Sequence, residues 1–568
     1  MKAADYIVEF LIQKKITDVF GYPGGMVTHL MDSFAKYSDQ ITAHVTYHEQ
    51  GASFAACGYA QTSGRTGVAY ATSGPGATNL ITGICNAYFD SIPVLFITGQ
   101  VNANEAKGAF GVRQRGFQET DIVSMVKPVT KYAVYVESVD MLAECLDIAF
   151  REANSNRKGP VLLDIPMNVL REEIVAAYPS REKKSSRIDT TEIVKALQIM
   201  LEDSTAPCIL LGNGVKSAGC SKKIRKSIER LQIPSLTSMI AFDVLGDSPF
   251  NYGFIGAYGT RIANFIAAKS DLIISIGSRM DIRQVGFMRK NFAPNAKIVR
   301  FDVDPGELEY EVHQNEIQFC IDMEAVVSVL ENLKISHNVL PWISVCNEIK
   351  NLLNEVDSNN ITKLIEIISK ATPPYAVITT DVGQNQVWIA QSFKIKEGQT
   401  VLFSGGHGAM GYSLPAAIGA CYGMGKKPIL CITGDGGMQM NIQELQFIAR
   451  EQLPIKIIVL NNNALGMIRH FQEMYFEGRY FQTKPEGGYT APDFAKIAEA
   501  YGIKSRQMIA GAPIEDLFSS EKPELVEILI KENTYVIPKL EFGKPNQDQE
   551  PLIDRELYNK IMSLNVKD

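Results

Sequence analysis

The segment KPILCITGDGGMQMNIQELQFIAREQLPIKIIVLNNN, residues 427–463, has the pattern of a strand–helix–strand unit. Its two apolar runs, PILCIT and IKIIVL, are typical of buried parallel strands, and the stretch that begins at Asn441 has helical periodicity. Parallel neighbours end at the same edge of a sheet, where open α/β sheets bind ligands. The pattern therefore predicts that Asp435, after the first strand, lies close to Asn462, after the second.

The two turns of this unit indicate a metal and phosphate site. Asp435 and Asn462 offer a carboxylate and an amide oxygen, which suit Mg²⁺ while leaving positions for phosphate oxygens and water. Gly434, Gly436 and Gly437 allow the backbone to approach a diphosphate, and the following helix adds its positive N-terminal end. A tight turn without a ligand is the alternative for GDGG alone. The step of 27 residues to Asn462 favours the site.

Strand and helix patterns alternate along the whole chain of 568 residues, which is too long for a single hydrophobic core. They predict an α/β fold with three doubly wound parallel-sheet domains, over residues 1–175, 190–335 and 358–545. Two polar stretches without periodicity, at 179–191 and near 336–341, are the expected linkers.

The composition is that of a globular protein, with 46% hydrophobic and 21% charged residues. A net charge of −7 without a Lys/Arg stripe argues against nucleic-acid binding, and no apolar run reaches the length of a membrane span. Nine scattered cysteines without a CxxC pair indicate reduced core residues, and the N-terminus shows no signal-peptide pattern. We therefore expect a cytosolic protein with neither nucleic-acid nor membrane partners.

A second group of motifs lies near the N-terminus. Glu49, in TYHEQGASFAACGYAQ, ends a strand pattern and begins a helix pattern. This position suits either a functional carboxylate or a simple helix-start acid that the helix dipole stabilises. FGYPGG at 20–25 and TSGPGATN at 72–79 are glycine-rich turns at the ends of strands. From its position alone, both interpretations of Glu49 stay open.

Together these motifs resemble the thiamine-diphosphate-dependent enzymes, and among them the catalytic subunits of acetolactate synthases. GDG followed by NN after 27 residues is similar to the metal-binding motif of this family, and TDVGQN at 380–385 is similar to its other diphosphate loop. The likeness continues in ITGQV at 97–101, GFQETDIV at 116–123, VTKYAV at 129–134 and NNNALGMIRHFQEMYFEGRY at 461–480. It covers nearly the whole chain and implies a pyrimidine-binding, a central FAD-type and a diphosphate-binding domain, in this order.

The resemblance implies a role in cofactor binding for each matching residue. Glu49 would activate the aminopyrimidine ring of thiamine diphosphate, and Met410 would be either the apolar wedge that bends this cofactor or a core residue. Asp435, Asn462 and the carbonyl of Ala464 would bind Mg²⁺. Further contacts to thiamine diphosphate would come from Tyr22, Pro23, Gly25, Pro75, Val382, Gly383, Gln384, Asn385, Gly408, Gly434, Gly436, Gly437 and Met467.

The reaction implied by the resemblance is decarboxylation of pyruvate on thiamine diphosphate and transfer of the two-carbon unit to a second 2-keto acid. Arg283 would hold the carboxylate of the acceptor, since a guanidinium pairs with two carboxylate oxygens at once. An ion pair between Arg283 and Asp281 is the alternative. The substrate channel and pocket would be formed by Phe117, Gln118, Lys131, Val382, Met467 and Phe471.

Two departures from the family pattern leave the acceptor open. Phe471 stands where relatives that prefer 2-ketobutyrate carry Trp, and FGVRQRGFQE at 110–119 adds Arg113 and Arg115. Extra positive charge suits a phosphorylated acceptor, so acetyl transfer to a nucleotide-linked ketosugar is the first alternative function. A flavoenzyme of the pyruvate oxidase kind is the second. A non-catalytic binding partner is the third, and the intact cofactor residues argue against it.

The resemblance also implies FAD in the central domain and more than one subunit. GNG at 212–214, GAYGT at 256–260, GSRMDIR at 277–283 and FDVDP at 301–305 are similar to FAD-binding elements, in which the flavin has a structural role. Contacts to FAD would come from Gly212, Gly214, Gly259, Thr260, Arg279, Asp281 and Asp302. Because the activating glutamate and the metal ligands lie on different domains, the family pattern implies a homodimer. A homotetramer and a regulatory small subunit are left open.

Overall fold

The computed structural model of the protein describes residues 1–175, 188–334 and 339–566. Most of the predicted first linker, 179–191, and half of the second, 336–341, lie outside the described residues. Within the described ranges, none of the helices combines the length and the apolar character needed to cross a membrane.

The described residues form three sheets of six strands each, and neighbouring strands within each sheet are parallel. The first sheet consists of β1 (Asp18–Gly21), β2 (Thr42–Val45), β3 (Gly67–Ala71), β4 (Val94–Gln100), β5 (Tyr132–Tyr135) and β6 (Val161–Pro166). The middle sheet consists of β7 (Pro207–Leu211), β8 (Ser235–Thr237), β9 (Asn251–Phe254), β10 (Leu272–Ile276), β11 (Lys297–Asp302) and β12 (Glu316–Cys320). The third consists of β13 (Val377–Thr380), β14 (Thr400–Leu402), β15 (Ile429–Gly434), β16 (Ile455–Asn461), β17 (Lys504–Ile509) and β18 (Glu524–Leu529).

Helices connect these strands in each domain. The first domain has α1 (Ala3–Gln13), α2 (Thr28–Lys36), α3 (Glu49–Ser63), α4 (Pro75–Asn79), α5 (Ile81–Phe89), α6 (Ile122–Val126), α7 (Val139–Asn154) and α8 (Met167–Arg171). Then follow α9 (Thr191–Asp203), α10 (Gly214–Ser217), α11 (Ser221–Leu231), α12 (Arg261–Lys269), α13 (Ile282–Val285), α14 (Pro305–Glu309), α15 (Met323–Asn332) and α16 (Leu340–Leu352). The last group is α17 (Asn360–Ala371), α18 (Gln384–Ser392), α19 (Ser413–Gly423), α20 (Asp435–Met440), α21 (Leu445–Glu451), α22 (Gly466–Tyr475), α23 (Phe494–Ala500) and α24 (Arg555–Ser563).

The first and third sheets have the same strand order. The first is β2-β1-β3-β4-β6-β5 and the third is β14-β13-β15-β16-β18-β17. The middle sheet, β12-β11-β10-β7-β8-β9, has the order of dinucleotide-binding folds. Near the centre of each sheet the strand order reverses, which opens a crevice at the carboxyl ends of the strands. The predicted fold of three doubly wound α/β domains is confirmed, whereas the domain limits stay predictions.

Strands β15 and β16 show why the quoted segment folds as it does. Every residue of β16 is buried, and so are all residues of β15 except the last. Helices cover both faces of a parallel sheet, so its central strands are apolar almost throughout. Lys456 in β16 is the charged exception, and its ammonium donates a hydrogen bond to the carbonyl of Lys522 at 2.7 Å.

Helices α3 and α19 pack so closely that the first and third domains share one hydrophobic core. A Cβ atom added at Gly58 would lie 2.1 Å from the carbonyl oxygen of Ala416, and one added at Gly419 would lie 1.7 Å from that of Ala55. A residue with a side chain at either position would therefore push the helices apart. This packing fixes the start of α3, where Glu49 lies, relative to the third domain.

The end of the chain returns to the middle domain. Residues 536–553, which we call the C-terminal strap, are held there by hydrogen bonds to loops of that domain. The amide of Leu540 donates to the carbonyl of Ala257 at 2.7 Å, and Nδ2 of Asn546 donates to the carbonyl of Gln284 at 2.7 Å. Helix α24, after the strap, packs into the core of the middle domain, as does α16. The strap therefore links the third domain to the middle one.

Candidate active site

The carboxyl edge of the third sheet brings Asp435 to the loop that contains Asn462. Gly434 and Leu460 are register partners in β15 and β16, so the two residues follow neighbouring strand ends. Oδ2 of Asp435 accepts a hydrogen bond from the amide of Ala464 at 3.0 Å. The side chains of Asp435 and Asn462 are 4% and 6% exposed. The geometry is that predicted from the strand pattern, while the metal-ligand role stays a prediction.

The helix after this turn begins earlier than expected. Helix α20 begins at Asp435 itself, and a 3-10 turn at Ile442–Glu444 separates it from α21. The prediction of a helix start near Asn441 is therefore wrong. Asn441 interrupts the helix, because its side-chain amide donates to the carbonyl of Gly411 at 2.8 Å and to Oε1 of Gln50 at 3.1 Å. An acid in the first turn of α20 suits the positive end of that short helix.

The electrostatics around Asp435 favour a bound cation. Burial raises the pKa of Asp435 to about 6, and hydrogen bonds from the amides of Gly436 and Ala464 oppose this rise. Within the described residues, no Lys, Arg or His side chain forms an ion pair with Asp435. The same part of the chain contains no group of three or more His, Cys, Asp or Glu side chains that fits a metal ion. A hard cation held by one carboxylate with amide and carbonyl oxygens fits this donor set.

The loop after β13 reaches the same edge through Gln384 and Asn385. Oε1 of Gln384 accepts a hydrogen bond from Nδ2 of Asn462 at 3.2 Å, which leaves Oδ1 of Asn462 available to a cation. Asn385 is buried, and within the described residues its Oδ1 has no hydrogen-bond partner. Buried polar atoms without partners are rare in folded proteins, so this atom points to a bound polar group. Val382 and Gly383 lie in the same loop.

Asp381 is a residue of this edge that the sequence analysis missed. It is buried, and it accepts hydrogen bonds from the amides of Val382 at 2.8 Å and Gly411 at 2.9 Å. The hydroxyl of Ser413 donates to it at 2.9 Å, and burial raises its pKa to about 6. Asp381 thus joins the TDVGQN loop to the loop that carries Gly408 and Met410. The sequence did contain a signal for Asp381, because an acidic residue directly after a buried strand such as β13 is typical of a site at the carboxyl edge of a sheet.

Met410 lies beside the GDGG turn. Its Cε is 3.0 Å from the position that a Cβ atom would take at Gly436, and Leu465 is similarly close. A Cβ at Gly437 would lie 2.7 Å from Cγ of Asp381. A side chain at either glycine would therefore crowd these neighbours, so the packing of the turn favours glycine at both positions. The structure brings the predicted apolar wedge next to the predicted diphosphate turn.

Glu49 lies at the corresponding edge of the first sheet. It is the first residue of α3, it is buried, and its Oε2 accepts a hydrogen bond from Nδ2 of Asn79 at 2.9 Å. The amide of Met26 donates to Oγ1 of Thr72 at 3.2 Å, which joins the two glycine-rich turns. Among the described residues, the side-chain hydrogen bonds of Glu49 stay within the first domain.

The glycine-rich turns carry the other predicted residues of this edge. Tyr22, Pro23 and Gly25 follow β1, and Pro75 begins α4 after β3. Gln118 lies against the second turn: a Cβ atom added at Gly74 would be 2.9 Å from the Cβ atom of Gln118. Phe117 points outward and is 80% exposed. The structure therefore places Gln118 at the site and leaves Phe117 on the surface of this chain.

Glu444 is a second residue that the sequence analysis missed. This carboxyl is fully buried between the two domains, where its Oε1 accepts a hydrogen bond from the amide of Tyr47 at 2.9 Å. Burial raises the pKa of Glu444 to about 7, and the amides of Tyr47 and His48 oppose the rise. Its location depends on how α3 and the third domain pack, which a pattern along the chain does not show.

Lys131 does not lie at this edge. It precedes β5, so it is at the amino end of the sheet, opposite to Glu49. Its ammonium donates to the carbonyl oxygens of Glu152 and of Ser155, the latter at 2.7 Å. These carbonyls belong to the end of α7, where a cation also suits the negative end of the helix. These contacts favour a structural role for Lys131, and its place in the substrate channel stays a prediction.

Arg283 lies on a loop of the middle domain. Its guanidinium is 5.7 Å from the centre of the Tyr258 ring, and its backbone amide donates to Oδ1 of Asp281 at 2.8 Å. The ion pair of Asp281 is formed with Arg279, at 3.2 Å. Among the described residues the guanidinium of Arg283 forms no ion pair with Asp281 or another carboxylate, so it is suited to bind an anion.

Phe471 belongs to an apolar wall on α22. Its ring centre lies 4.7 Å from that of Tyr475 and 6.5 Å from that of Phe542 in the C-terminal strap. Met467 is on the first turn of the same helix and is partly buried against the core of the third domain. The wall begins next to the loop that carries Asn462, so it is suited to line a substrate pocket.

A cavity of about 410 Å³ lies at the carboxyl edge of the middle sheet. Gly214, Arg279, Asp281 and Asp302 line it, together with residues of the other two domains. Gly212, Gly259 and Thr260 do not line it and instead shape the backbone. A Cβ at Gly212 would lie 2.1 Å from the carbonyl oxygen of Gly277, and Oγ1 of Thr260 caps α12 by accepting the amide of Ala263 at 3.3 Å. Four of the seven predicted FAD residues thus reach one cavity.

Models of three thiamine pyrophosphate enzyme domains match the chain. The N-terminal TPP binding domain matches residues 1–125, the central domain matches 194–330, and the C-terminal TPP binding domain matches 381–528. The chain is 34% identical to the acetolactate synthase isozyme 2 large subunit of Escherichia coli (strain K12), covering 96% of this chain and 99% of that protein. It is 36% identical to the acetolactate synthase large subunit of Corynebacterium glutamicum, over 96% and 90% of the two chains. A probable acetolactate synthase large subunit of Methanocaldococcus jannaschii is 35% identical over 93% and 92%.

The chain belongs to the acetolactate synthase family of thiamine pyrophosphate enzymes. The predictions of the family, of a thiamine-diphosphate-dependent enzyme and of thiamine diphosphate as the cofactor are confirmed. Thiamine pyrophosphate and thiamine diphosphate are the same compound. The roles of single residues in this chain stay predictions.

Proposed function

We propose that this chain decarboxylates pyruvate and transfers the two-carbon unit to a second 2-keto acid, as a carboligase of the acetolactate synthase type. The observation that carries the proposal is the buried pair of turns at the carboxyl edge of the third sheet, where Asp435 meets the loop of Asn462. The names of the three relatives support the same reaction class.

The residues of the third domain fit Mg²⁺ and a diphosphate. Asp435, Oδ1 of Asn462 and the carbonyl of Ala464 would hold the ion, and the side-chain amide of Asn385, whose Nδ2 lies near Gly434, would donate to a diphosphate oxygen. Thiamine diphosphate, when bound, supplies the electron sink that decarboxylation requires. The chain holds the diphosphate, excludes water with apolar residues such as Met410, and positions the substrates.

Glu49 has the position expected of the group that handles a proton on the aminopyrimidine ring. Its carboxyl is buried and is oriented by the Asn79 amide, which fixes one oxygen and leaves Oε1 for a ring nitrogen. A carboxyl that is held in this way is suited to general acid–base catalysis. Gln118, next to Gly74, would line the approach of the substrate.

A homodimer is the assembly that we propose for the complete site. The hydrogen bonds of Glu49 stay within its own domain, and large apolar side chains near both edges are exposed, among them Phe110 at 68%, Phe117 at 80% and Phe481 at 72%. Exposed apolar groups of this size are typical of surfaces that another subunit covers. Because the relatives are named as large subunits, we also propose a smaller regulatory partner. A cytosolic location stays a prediction.

FAD is the cofactor that we propose for the cavity of the middle domain. The strand order is that of dinucleotide-binding folds, and the cavity lies at the point where this order reverses, between β7 and β10. Arg279 and Asp281 at its wall, which pair with each other, would contact the flavin nucleotide. The proposed role is structural.

One assay separates this function from its alternatives. The protein, loaded with thiamine diphosphate, Mg²⁺ and FAD, is given pyruvate, and the products are identified by mass spectrometry. We expect CO₂ and acetolactate. Release of CO₂ only when a nucleotide-linked ketosugar is added would instead favour the ketosugar transferase. Bleaching of the flavin by pyruvate without oxygen would favour the oxidase.

A further inference from the structure

A lysine of the C-terminal strap lies buried against the apolar wall of α22. Lys539 is 8% exposed, and its ammonium lies 3.1 Å from Sδ of Met474 and 5.9 Å from the centre of the Phe471 ring. The backbone holds it in place, because its amide donates to the carbonyl of Glu550 at 2.9 Å. A thioether and an aromatic ring are weak partners for a cation that has left water.

In the part of the chain that the structure describes, Lys539 has no carboxylate partner. Within residues 1–175, 188–334 and 339–566 it forms no ion pair, and burial lowers the pKa of its ammonium. The contrast with Lys544 in the same strap is clear, since Lys544 pairs with Glu541 at 3.0 Å and with Glu550 at 2.7 Å. Lysines are rarely buried unless they are paired, so the ammonium of Lys539 lacks a partner of opposite charge.

The surroundings of Lys539 are those of the proposed acceptor pocket. Phe471 and Met474 are on α22, which begins next to the loop of Asn462. The residue after Lys539 is hydrogen-bonded to Ala257, next to Tyr258, and the Arg283 guanidinium lies over the Tyr258 ring. Lys539 and Arg283 are thus linked through the segment that carries Tyr258, and among the described residues neither forms an ion pair with a carboxylate.

We propose that Lys539 binds a second anionic group of the acceptor, whose 2-keto acid carboxylate is bound by Arg283. This inference rests on the proposed carboligase function. It assigns the acceptor to the class of 2-keto acids that carry a further carboxylate or phosphonate-like group. The geometry that carries it is the buried ammonium against Met474 and Phe471, which forms no ion pair among the described residues.

The charge of Lys539 decides between acceptors for a simple reason. The short aliphatic chain of 2-ketobutyrate, placed against Phe471, would leave the Lys539 ammonium without water and without a partner of opposite charge. An anionic group at the same place would pair with it, and a charge pair that is shielded from water contributes to both affinity and selectivity. Lys539 is thus a specificity-determining residue that favours dianionic acceptors over apolar ones.

Acceptor competition with pyruvate as donor tests the proposal. The values of kcat/KM are measured for 2-ketobutyrate, for 2-ketoglutarate, which has a second carboxylate, and for 3-phosphonopyruvate, which has a phosphonate. We expect at least one of the dianionic acceptors to be preferred over 2-ketobutyrate, and the better of the two identifies the anionic group. In Lys539→Met this preference should fall by about 10- to 100-fold. Lys539→Arg should retain most of it.

Lys544→Met is the matched control, because it removes a lysine of the same strap that is already paired with glutamates. The ratio of the acceptors should not change in this variant. An equal ratio in the wild type and in Lys539→Met would overturn the proposal, as would a wild type that prefers 2-ketobutyrate to both dianions.

A binding measurement separates this inference from the carboligase function itself. Calorimetry with glutarate and butyrate, which lack the keto group, reports the anion subsite of the cofactor-loaded protein without turnover. We expect glutarate to bind more tightly than butyrate to the wild type but not to Lys539→Met. If pyruvate is not decarboxylated, the carboligase function fails, and the glutarate result still decides the role of Lys539. If pyruvate is consumed but glutarate shows no preference, only the role of Lys539 is contradicted.

Discussion

The first and third sheets have the same strand order but present different chemistry at their carboxyl edges. In the third domain, a carboxylate from Asp435 lies next to the loop that offers the amide of Asn462 and the carbonyl of Ala464, and together they form one buried site. In the first domain, the corresponding edge has one carboxylate, Glu49, held by the amide of Asn79. One edge therefore suits a cation with a diphosphate, and the other suits a neutral ring that exchanges a proton.

The comparison shows what topology decides and what residues decide. A shared strand order puts both sites at the carboxyl edge of a sheet, although Glu49 follows the outermost strand β2 whereas Asp435 and Asn462 follow the inner strands β15 and β16. It does not choose the ligand, since that depends on the side chains after each strand.

The largest effect is expected from Asp435→Asn. Loss of a group that merely supports a metal ligand costs about 10- to 100-fold, and Asp435 is the carboxylate in direct contact in our proposal, so activity should fall by more than about 1000-fold. Binding of thiamine diphosphate, measured by calorimetry with Mg²⁺, should weaken as well. Asp516→Asn, an exposed acid of the same domain that pairs with Arg506, is the control. Wild-type Mg²⁺ dependence in Asp435→Asn would contradict the metal site.

Glu49→Gln should separate the function of the Glu49 edge, which is turnover, from that of the diphosphate edge, which is cofactor binding. We expect turnover to fall by about 100-fold, the range of general acid–base catalysis, while thiamine diphosphate still binds because the diphosphate edge is unchanged. Glutamine retains an oxygen that accepts the hydrogen bond of Asn79, so the fold should be preserved. Steady-state rates and cofactor calorimetry check both expectations. Unchanged turnover in this variant would contradict the proposed role of Glu49.

Glu444 lies between the two edges and makes their contact sensitive to pH. Its folded pKa of about 7 lies above the ordinary value of 4.5, so the folded protein holds an extra proton between these values. Stability therefore falls as the pH rises from about 4.5 to about 7, by roughly 3 kcal/mol for this group. In Glu444→Gln this contribution should disappear. Denaturant unfolding at pH 5 and pH 8 measures it, and an identical pH dependence in both proteins would refute it.

The smallest effect on activity is expected from Lys131→Met. Loss of the hydrogen bonds to the end of α7 should cost about 1 kcal/mol of stability and leave kcat/KM within about twofold. Thermal unfolding and steady-state kinetics provide the test. A large loss of activity in a folded variant would instead support a role of Lys131 in the substrate channel.

The sequence was sufficient for the three sheets and for the proximity of Asp435 and Asn462, because both follow from apolar periodicity and from the common edge of parallel strands. The start of α20 was misplaced, since the hydrogen bonds of Asn441 to Gly411 and Gln50 come from distant parts of the chain. Lys131 was assigned by likeness alone, although a residue before a strand lies at the opposite edge of the sheet. Glu444 was missed because its burial depends on interdomain packing.

The most direct test of the central claim is the location of the metal ion. Crystals of the protein with thiamine diphosphate and Mn²⁺ in place of Mg²⁺ would give an anomalous signal at the ion. We predict a single strong peak at the edge of the third sheet, about 2.1 Å from the carboxylate of Asp435, Oδ1 of Asn462 and the carbonyl of Ala464. A cofactor-associated ion bound away from Asp435 and Asn462 would contradict the account.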